Sequence, residues 1–345
     1  MLKYINMKTQ ILSLLKNLES SRSVREKQAL GAYYTPLSLA RKIVKSLEDF
    51  DNFKLDLQRG KLKIHDPACG HGIFKFAFDS MYGNLAKFKL SDIDPVPIKE
   101  LIKTSQIESN DIKVSDYLTV NGKSRFNTIV TNPPYRKLNK EEAKKFRNNK
   151  FLLQQGELNL YKLFLEKIIL NDYKYVSLII PFSFLKDKTA TKLRSKIREY
   201  YKFSRVSILE EGEGGFMDVS QKFCYFSLMK KEDKTLNPDI KLYKPCNSKN
   251  VKLSSYINEK QRPNSEIIFL NKCEESIVKK LGKLPRLKNI MNIVNRRGEL
   301  DLTIYKNYIK KEISKNKLVR GRNIIRNKLP NYGAEYVEAG FPKLI

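Results

Sequence analysis

Leu62-Lys63-Ile64-His65 runs directly into Asp66-Pro67-Ala68-Cys69-Gly70-His71-Gly72, and this stretch decides the fold. A short apolar run ending in an acid reads as a buried strand. Pro67, Gly70 and Gly72 break it into a tight turn, and apolar residues at helical spacing through Phe74–Met81 restart the chain as a helix. Working outward, the pattern repeats. Phe88–Ile93 is a second predicted strand with acids at Asp92 and Asp94, followed by a helix over Ile98–Ser105. Ile112–Val114 leads to Asp116, and Phe126–Thr131 leads to Asn132-Pro133-Pro134-Tyr135. Leu158–Ile169, Tyr175–Pro181, Asp187–Tyr200, Phe203–Leu209 and Lys222–Met229 continue the alternation. Strands alternating with helical crossovers predict an α/β fold with a doubly wound, mostly parallel sheet. In such sheets ligands bind beyond the carboxyl ends of the strands, where every distinctive motif of this chain lies.

Each motif has a legible chemistry. A glycine-rich turn after a strand lets a ligand approach the backbone, and no GxxxxGK[ST] is present to cradle a nucleotide triphosphate. The acid before the turn, Asp66, suits a cationic ammonium such as the methionine end of S-adenosylmethionine. At the end of the second strand, Asp92 is placed to accept both hydroxyls of a ribose, with Ile93 as an apolar platform under an adenine. An acid at this place serves equally as a helix cap. Asp116 can accept from an adenine amino group with Tyr117 stacking, or act as a turn aspartate.

Asn132-Pro133-Pro134-Tyr135 carries the most specific chemistry. An aromatic amine is a poor nucleophile because its lone pair is delocalised into the ring. Acceptors on its hydrogens favour the pyramidal nitrogen that attacks. The Asn132 side-chain oxygen and the Pro133 carbonyl can supply two acceptors, held by the rigidity of adjacent prolines. Tyr135 can stack on the base.

Lys and Arg outnumber Asp and Glu by 67 to 37, a formal charge of +30, which suits a polyanionic partner or reflects a lysine-rich surface. Four dispersed cysteines without a CxxC pair, and only two histidines, argue against a structural zinc site and fit reduced thiols in the cytoplasm. No run is long and apolar enough for a membrane span. The helical spacing of Ile11, Leu12, Leu14, Leu15 and Leu18 predicts N-terminal helices within 1–30, and helical periodicity resumes over Leu37–Leu47 after Gly31–Pro36. The alternation stops near Lys231. Residues 246–345 hold 22 Lys and Arg against 9 Asp and Glu, including the basic run Lys315–Arg326. The expected division is therefore a catalytic domain over 1–235 and a basic module over 236–345.

Taken together and in this order, GAYYTP, DPACGHGIF, SDIDP, SDY and NPPY resemble the gamma class of adenine-N6 DNA methyltransferases of restriction-modification systems, over roughly residues 30–230. The resemblance implies a Rossmann-like methyltransferase sheet, S-adenosylmethionine as methyl donor, no metal, and double-stranded DNA as substrate with its target adenine flipped out. It places Tyr34, Thr35, Pro36, Asp66, Ala68, Gly70, Gly72, Asp92, Ile93, Asp116 and Tyr117 at the cofactor. Asn132, Pro133, Pro134 and Tyr135 fall at the target base. Phe216 is the counterpart of the second pocket aromatic, with Phe223 close by as its rival. His71 departs from the family pattern, standing where a small residue is commoner. LNLYKLFLEK, YVSLIIPFSFL and GGFMDVSQKFCYFSL resemble downstream motifs, and KLVRGRNI resembles a segment of the family's target-recognition domains. Because that domain usually continues further, the C-terminal module is expected to be incomplete, with a separate specificity segment or a restriction endonuclease as partner. NPPY also serves planar amides, so methylation of RNA adenine or of a protein glutamine is the alternative enzyme. A cofactor- or DNA-binding remnant without turnover is the alternative that is not one.

Overall fold

The computed structural model describes residues 35–104, 111–120, 122–147, 156–209, 222–232, 241–246 and 249–254, with short segments beyond residue 275. The expected N-terminal helices, Tyr34, Phe216, and the KLVRGRNI segment apart from Lys317 lie outside the described residues.

Helix α1 (Leu37–Lys45), a 3-10 turn (Ser46–Asp49) and α2 (Asp51–Gln58) precede β1 (Leu62–Asp66). Then follow α3 (Ile73–Tyr82), β2 (Ala86–Asp92), α4 (Pro95–Thr104), β3 (Ile112–Val114), β4 (Thr128–Thr131) and α5 (Lys140–Arg147). Helix α6 (Leu160–Asn171), β5 (Tyr175–Pro181), α7 (Thr191–Tyr200), β6 (Tyr201–Leu209) and β7 (Phe223–Lys230) complete the predicted alternation. Two further strands, β8 (Lys241–Cys246) and β9 (Lys249–Ser254), extend the same sheet.

The nine-stranded order is β3-β2-β1-β4-β5-β7-β6-β8-β9. Strands β1 to β5 pair in parallel, which makes the sheet mostly parallel and doubly wound as expected. Strand β7 is inserted antiparallel between β5 and β6. The strand order changes direction between β1 and β4, and the carboxyl ends of β1, β2, β3 and β4 lie along one edge, where the motifs sit.

Both faces of the central strands are covered, which is why they read as near-continuous apolar runs. Along β5, Tyr175 and Ile179 join a core with Ile43, Phe53, Phe74 and Phe78. Val176, Leu178 and Ile180 turn the other way, toward Phe184, Leu193, Ile197 and Phe226. Buried hydroxyls fasten the first layer to the sheet: Ser177 donates to the Ile43 carbonyl at 2.8 Å and Ser227 to the Ser46 carbonyl at 3.0 Å. These bonds satisfy polar groups that would otherwise be costly to bury.

By contact density the chain divides into two compact units, Met1–Gly282 and Lys283–Ile345. The domain border expected at 235/236 therefore falls inside the first unit, before β8 and β9. Among its described residues the second unit has the short strands β10 (Ile309–Lys310), β11 (Asn316–Lys317) and β12 (Tyr336–Val337), in the order β10-β12-β11. Among the described residues no helix is long and apolar enough to cross a membrane.

Candidate active site

Asp66 ends β1 and is fully buried. Its Oδ1 accepts from the Ala68 N–H at 3.3 Å, while its Oδ2 has no hydrogen-bond partner. Burial pushes its carboxyl up to about 8. The Ala68 N–H and the nearby Thr131 hydroxyl oppose the rise, although Thr131 Oγ1 reaches hydrogen-bonding geometry with no group. An orphaned carboxyl oxygen at the foot of a glycine turn is where a cationic amine would be stabilised.

The turn itself is held by the backbone. Cys69 N–H donates to the Ser91 carbonyl at 3.0 Å, and Gly72 N–H to the Cys69 carbonyl at 2.8 Å. Gly72 caps α3 at φ +76°, and a Cβ there would meet Leu101 Cδ1 at 3.3 Å. The requirement for glycine is thus both conformational and steric. His71 is buried, with Nε2 3.2 Å from Glu100 Oε2 on α4, so the atypical histidine is absorbed by the neighbouring helix.

Asp92 receives two backbone donors, Gly70 N–H at 2.8 Å on Oδ2 and Asp94 N–H at 3.0 Å on Oδ1. It thereby ties the end of β2 to the glycine turn, and burial raises its pKa. Asp94 takes the capping role at α4, its Oδ1 accepting from Val96 N–H at 3.0 Å. Ile93 stands 62% exposed, an apolar side chain in open solvent beside the turn. Asp116 accepts from Leu118 N–H at 2.9 Å and is half-buried. Tyr117 points elsewhere: it is buried, its ring 5.0 Å from Phe164 and 5.7 Å from His65, and its hydroxyl accepts from Asn171 at 3.1 Å. The structure does not bring Tyr117 to the exposed rim beside Ile93.

Beyond β4, Pro133 is buried and Asn132, Pro134 and Tyr135 are half-buried. Asn132 Nδ2 donates to Thr35 Oγ1 at 2.9 Å, and its Oδ1 accepts from the Tyr135 hydroxyl. The same hydroxyl lies 2.8 Å from the Ile179 carbonyl at β5. The Tyr135 ring packs at 5.2 Å on Phe223, the first residue of β7, and at 6.3 Å edge-on to Tyr161. Thr35 fixes the amide so that the oxygen is directed away from it, a role invisible in sequence because the two residues are 97 positions apart. After the motif, Arg136 forms a two-pronged ion pair with Glu142 of α5 at 2.6 and 2.8 Å, anchoring the segment that follows. Among the described residues no group of acids, histidines and cysteines could hold a metal ion.

The sheet order and the motifs at its strand ends give a Rossmann-like, mostly parallel α/β fold. The chain is similar in structure to a class I S-adenosylmethionine-dependent methyltransferase from Listeria monocytogenes, with TM-score 0.52, 16% identity, and 69% of this chain and 72% of that one covered. It is also similar to the modification subunit of a type I restriction enzyme from Vibrio vulnificus, with TM-score 0.51, 16% identity, and 82% and 59% covered. In sequence it is 25% identical over 216 residues to the Type II methyltransferase M.AccI of Acinetobacter calcoaceticus, spanning 38% of that protein's length. The model of the Eco57I restriction-modification methylase family matches residues 32–216, over half of the chain, and the chain belongs to that family.

Proposed function

We propose that the protein transfers a methyl group from S-adenosylmethionine to N6 of an adenine flipped out of double-stranded DNA. The observation that carries this reading is Asn132, held by Thr35 at the end of a buried strand with its amide oxygen beside Tyr135. Asp66 with its orphaned Oδ2, the left-handed glycines and the exposed Ile93 fit the donor's ammonium, backbone approach and adenine. Bound there, S-adenosylmethionine would supply an electrophilic methyl on a cationic sulfonium.

The chain's own residues orient the nucleophile. Asn132 Oδ1 and the Pro133 carbonyl accept the two amine hydrogens, directing the nitrogen lone pair toward the methyl. The Tyr135 hydroxyl has one proton and two acceptors within reach, Asn132 Oδ1 and the Ile179 carbonyl. It can shift to Ile179 when the amine arrives, leaving no buried donor unpaired. As the N–C bond forms and the C–S bond breaks, the amine becomes cationic and its proton leaves to water.

The test is transfer of labelled methyl to unmethylated DNA, with RNA and protein extract in parallel. Asn132→Ala is expected to lower transfer to DNA by about a hundredfold or more while leaving cofactor affinity within a few-fold. Label on RNA or on glutamine instead would overturn the DNA reading, and cofactor binding without any transfer would favour a non-catalytic role.

A further inference from the structure

On the opposite face of the sheet from Asp66 and Asp92 lies a second pocket, of about 230 Å³. The alternation of strands separates the two. Leu62, Ile64 and Asp66 face one way on β1, and His65 faces the other, in register with Lys89 on β2. None of the described residues lining the pocket belongs to the glycine turn or to Asn132–Tyr135. Its volume is several times the roughly 30 Å³ share of a water molecule, so it is not a one-water void.

The floor is buried and wired. His65 Nδ1 lies 2.9 Å from the Tyr173 hydroxyl and Nε2 3.1 Å from Ser91 Oγ, while Asn171 bridges the Tyr117 hydroxyl and the Ser124 N–H at 3.1 and 3.0 Å. Burial, reinforced by Lys89, pushes the His65 imidazole down to about 3, so it stays neutral. One wall is fixed by Lys167, whose ammonium donates to the carbonyls of Leu118 and Val120 at 3.0 and 2.5 Å. Phe126 adds an aromatic side, its ring 5.8 Å from the His65 ring and with the Lys89 ammonium 5.9 Å from its centroid, which a bound phosphate would draw away. Lys89, Lys123 and Arg125 complete the lining, which contains no carboxylate. Among the described residues no salt bridge occupies these three cations, although the same molecule pairs many of its other lysines with acids.

We propose that this pocket binds the phosphate of a small phosphomonoester with an aromatic or nucleoside body, the phosphate on Lys89, Lys123 and Arg125 and the flat body against Phe126. Three cations lining one pocket without a counter-acid favour a compact dianion. Hydrogen-bonded hydroxyls beneath them provide orientation, the usual design of a small-molecule site.

The test is calorimetric titration of the full chain with phenyl phosphate, inorganic phosphate and phenol. Phenyl phosphate is expected to bind more tightly than inorganic phosphate, and phenol not at all. Lys89→Gln with Arg125→Gln should weaken both phosphates by about tenfold or more. Removing the same charge elsewhere, by Lys54→Gln with Lys144→Gln, should leave them unchanged, and thermal melting of both double variants confirms the fold. A short DNA strand carrying a 5′-phosphate competes with phenyl phosphate if strand ends are the source, and its 5′-hydroxyl counterpart does not. Failure of both strands to compete assigns the pocket to a free ester. The proposal is overturned if neither phosphate binds at millimolar concentration, or if the two double variants weaken binding equally.

Discussion

At Asp66 stability and the proposed cofactor role pull in opposite directions. In the unfolded chain its carboxyl titrates near the usual value of about 4. Burial in the folded protein raises it to about 8. Between these values the native state holds a proton that the unfolded state has lost, so stability falls as pH rises through that window. The penalty is complete above about pH 8, and the raised Asp92 carboxyl contributes in the same direction. Asp66→Asn has nearly the same shape and cannot ionise. We expect it to flatten the fall and to be more stable than wild type at about pH 8.5 by on the order of a few kcal/mol in urea melts. On the proposed function the same substitution should weaken S-adenosylmethionine binding by about tenfold or more, because it removes the carboxylate that would answer the ammonium. Gains in stability with losses in binding are the signature of a residue kept for its ligand. If the variant instead loses stability, Asp66 is a scaffold residue of the turn.

At the scale of elements, the start of α3 depends on two glycines that are not equivalent. Gly70 has φ +48° with nothing within 4 Å of a prospective Cβ, whereas Gly72, at φ +76°, would press a Cβ on Leu101 of α4 at 3.3 Å. Gly70→Ala should therefore cost about 1 kcal/mol for its left-handed backbone alone. Gly72→Ala should cost about 2–3 kcal/mol, because Leu101 must also give way. Equal costs in denaturant titrations would show that the contact with α4 is soft. The sequence patterns that made this turn legible are local: an apolar strand, an acid, glycines, then a helical period. Several elements escaped the same reading. Helix α5 carries a capping box, with Glu142 N–H on Asn139 Oδ1 at 2.9 Å and Asn139 N–H on Glu142 Oε2 at 3.0 Å, and the residues for it stand in the sequence as Asn139 and Glu142. Helix α2 is signalled by Phe53 and Leu57, both buried, at i, i+4 spacing. Strands β8 and β9 follow a loop where the alternation had already stopped. The direction of β7 was not legible at all, since it is set by which neighbour the strand meets in the sheet. The site divides the same way. Asp66, Gly70, Gly72, Asp92 and Asn132 are marked by their motifs, whereas the bonds from Asn132 to Thr35 and from Tyr135 to Ile179, and the inward turn of Tyr117, depend on contacts that form only in the folded chain.

For the whole molecule the dominant quantity is its charge of +30, and the question is whether DNA meets that charge or only a part of it. At physiological ionic strength the Debye length is about 8 Å, so a lysine far from the duplex contributes little to the bound state. What salt titration reports is therefore the number of phosphates neutralised in the complex, since each contact releases condensed counterions and log K falls with log salt in proportion. On the proposed function the protein would grip a duplex while extruding a base and so hold the backbone on both sides of the target, and six to ten contacts correspond to a loss of about 10³ to 10⁵ in affinity between 50 and 200 mM salt. We expect a slope in that range for the full chain on a duplex of about 30 base pairs, measured by anisotropy with S-adenosylhomocysteine present. The positive charge is spread along the sequence, with a dense stretch at Lys315–Arg326, so its location can be tested separately. Neutralising Arg320, Arg322 and Arg326 together should lower the slope by about three if that run lies on the backbone. An unchanged slope would place the duplex away from that run, and a flat salt response of the parent chain would mean that the charge serves something other than duplex DNA.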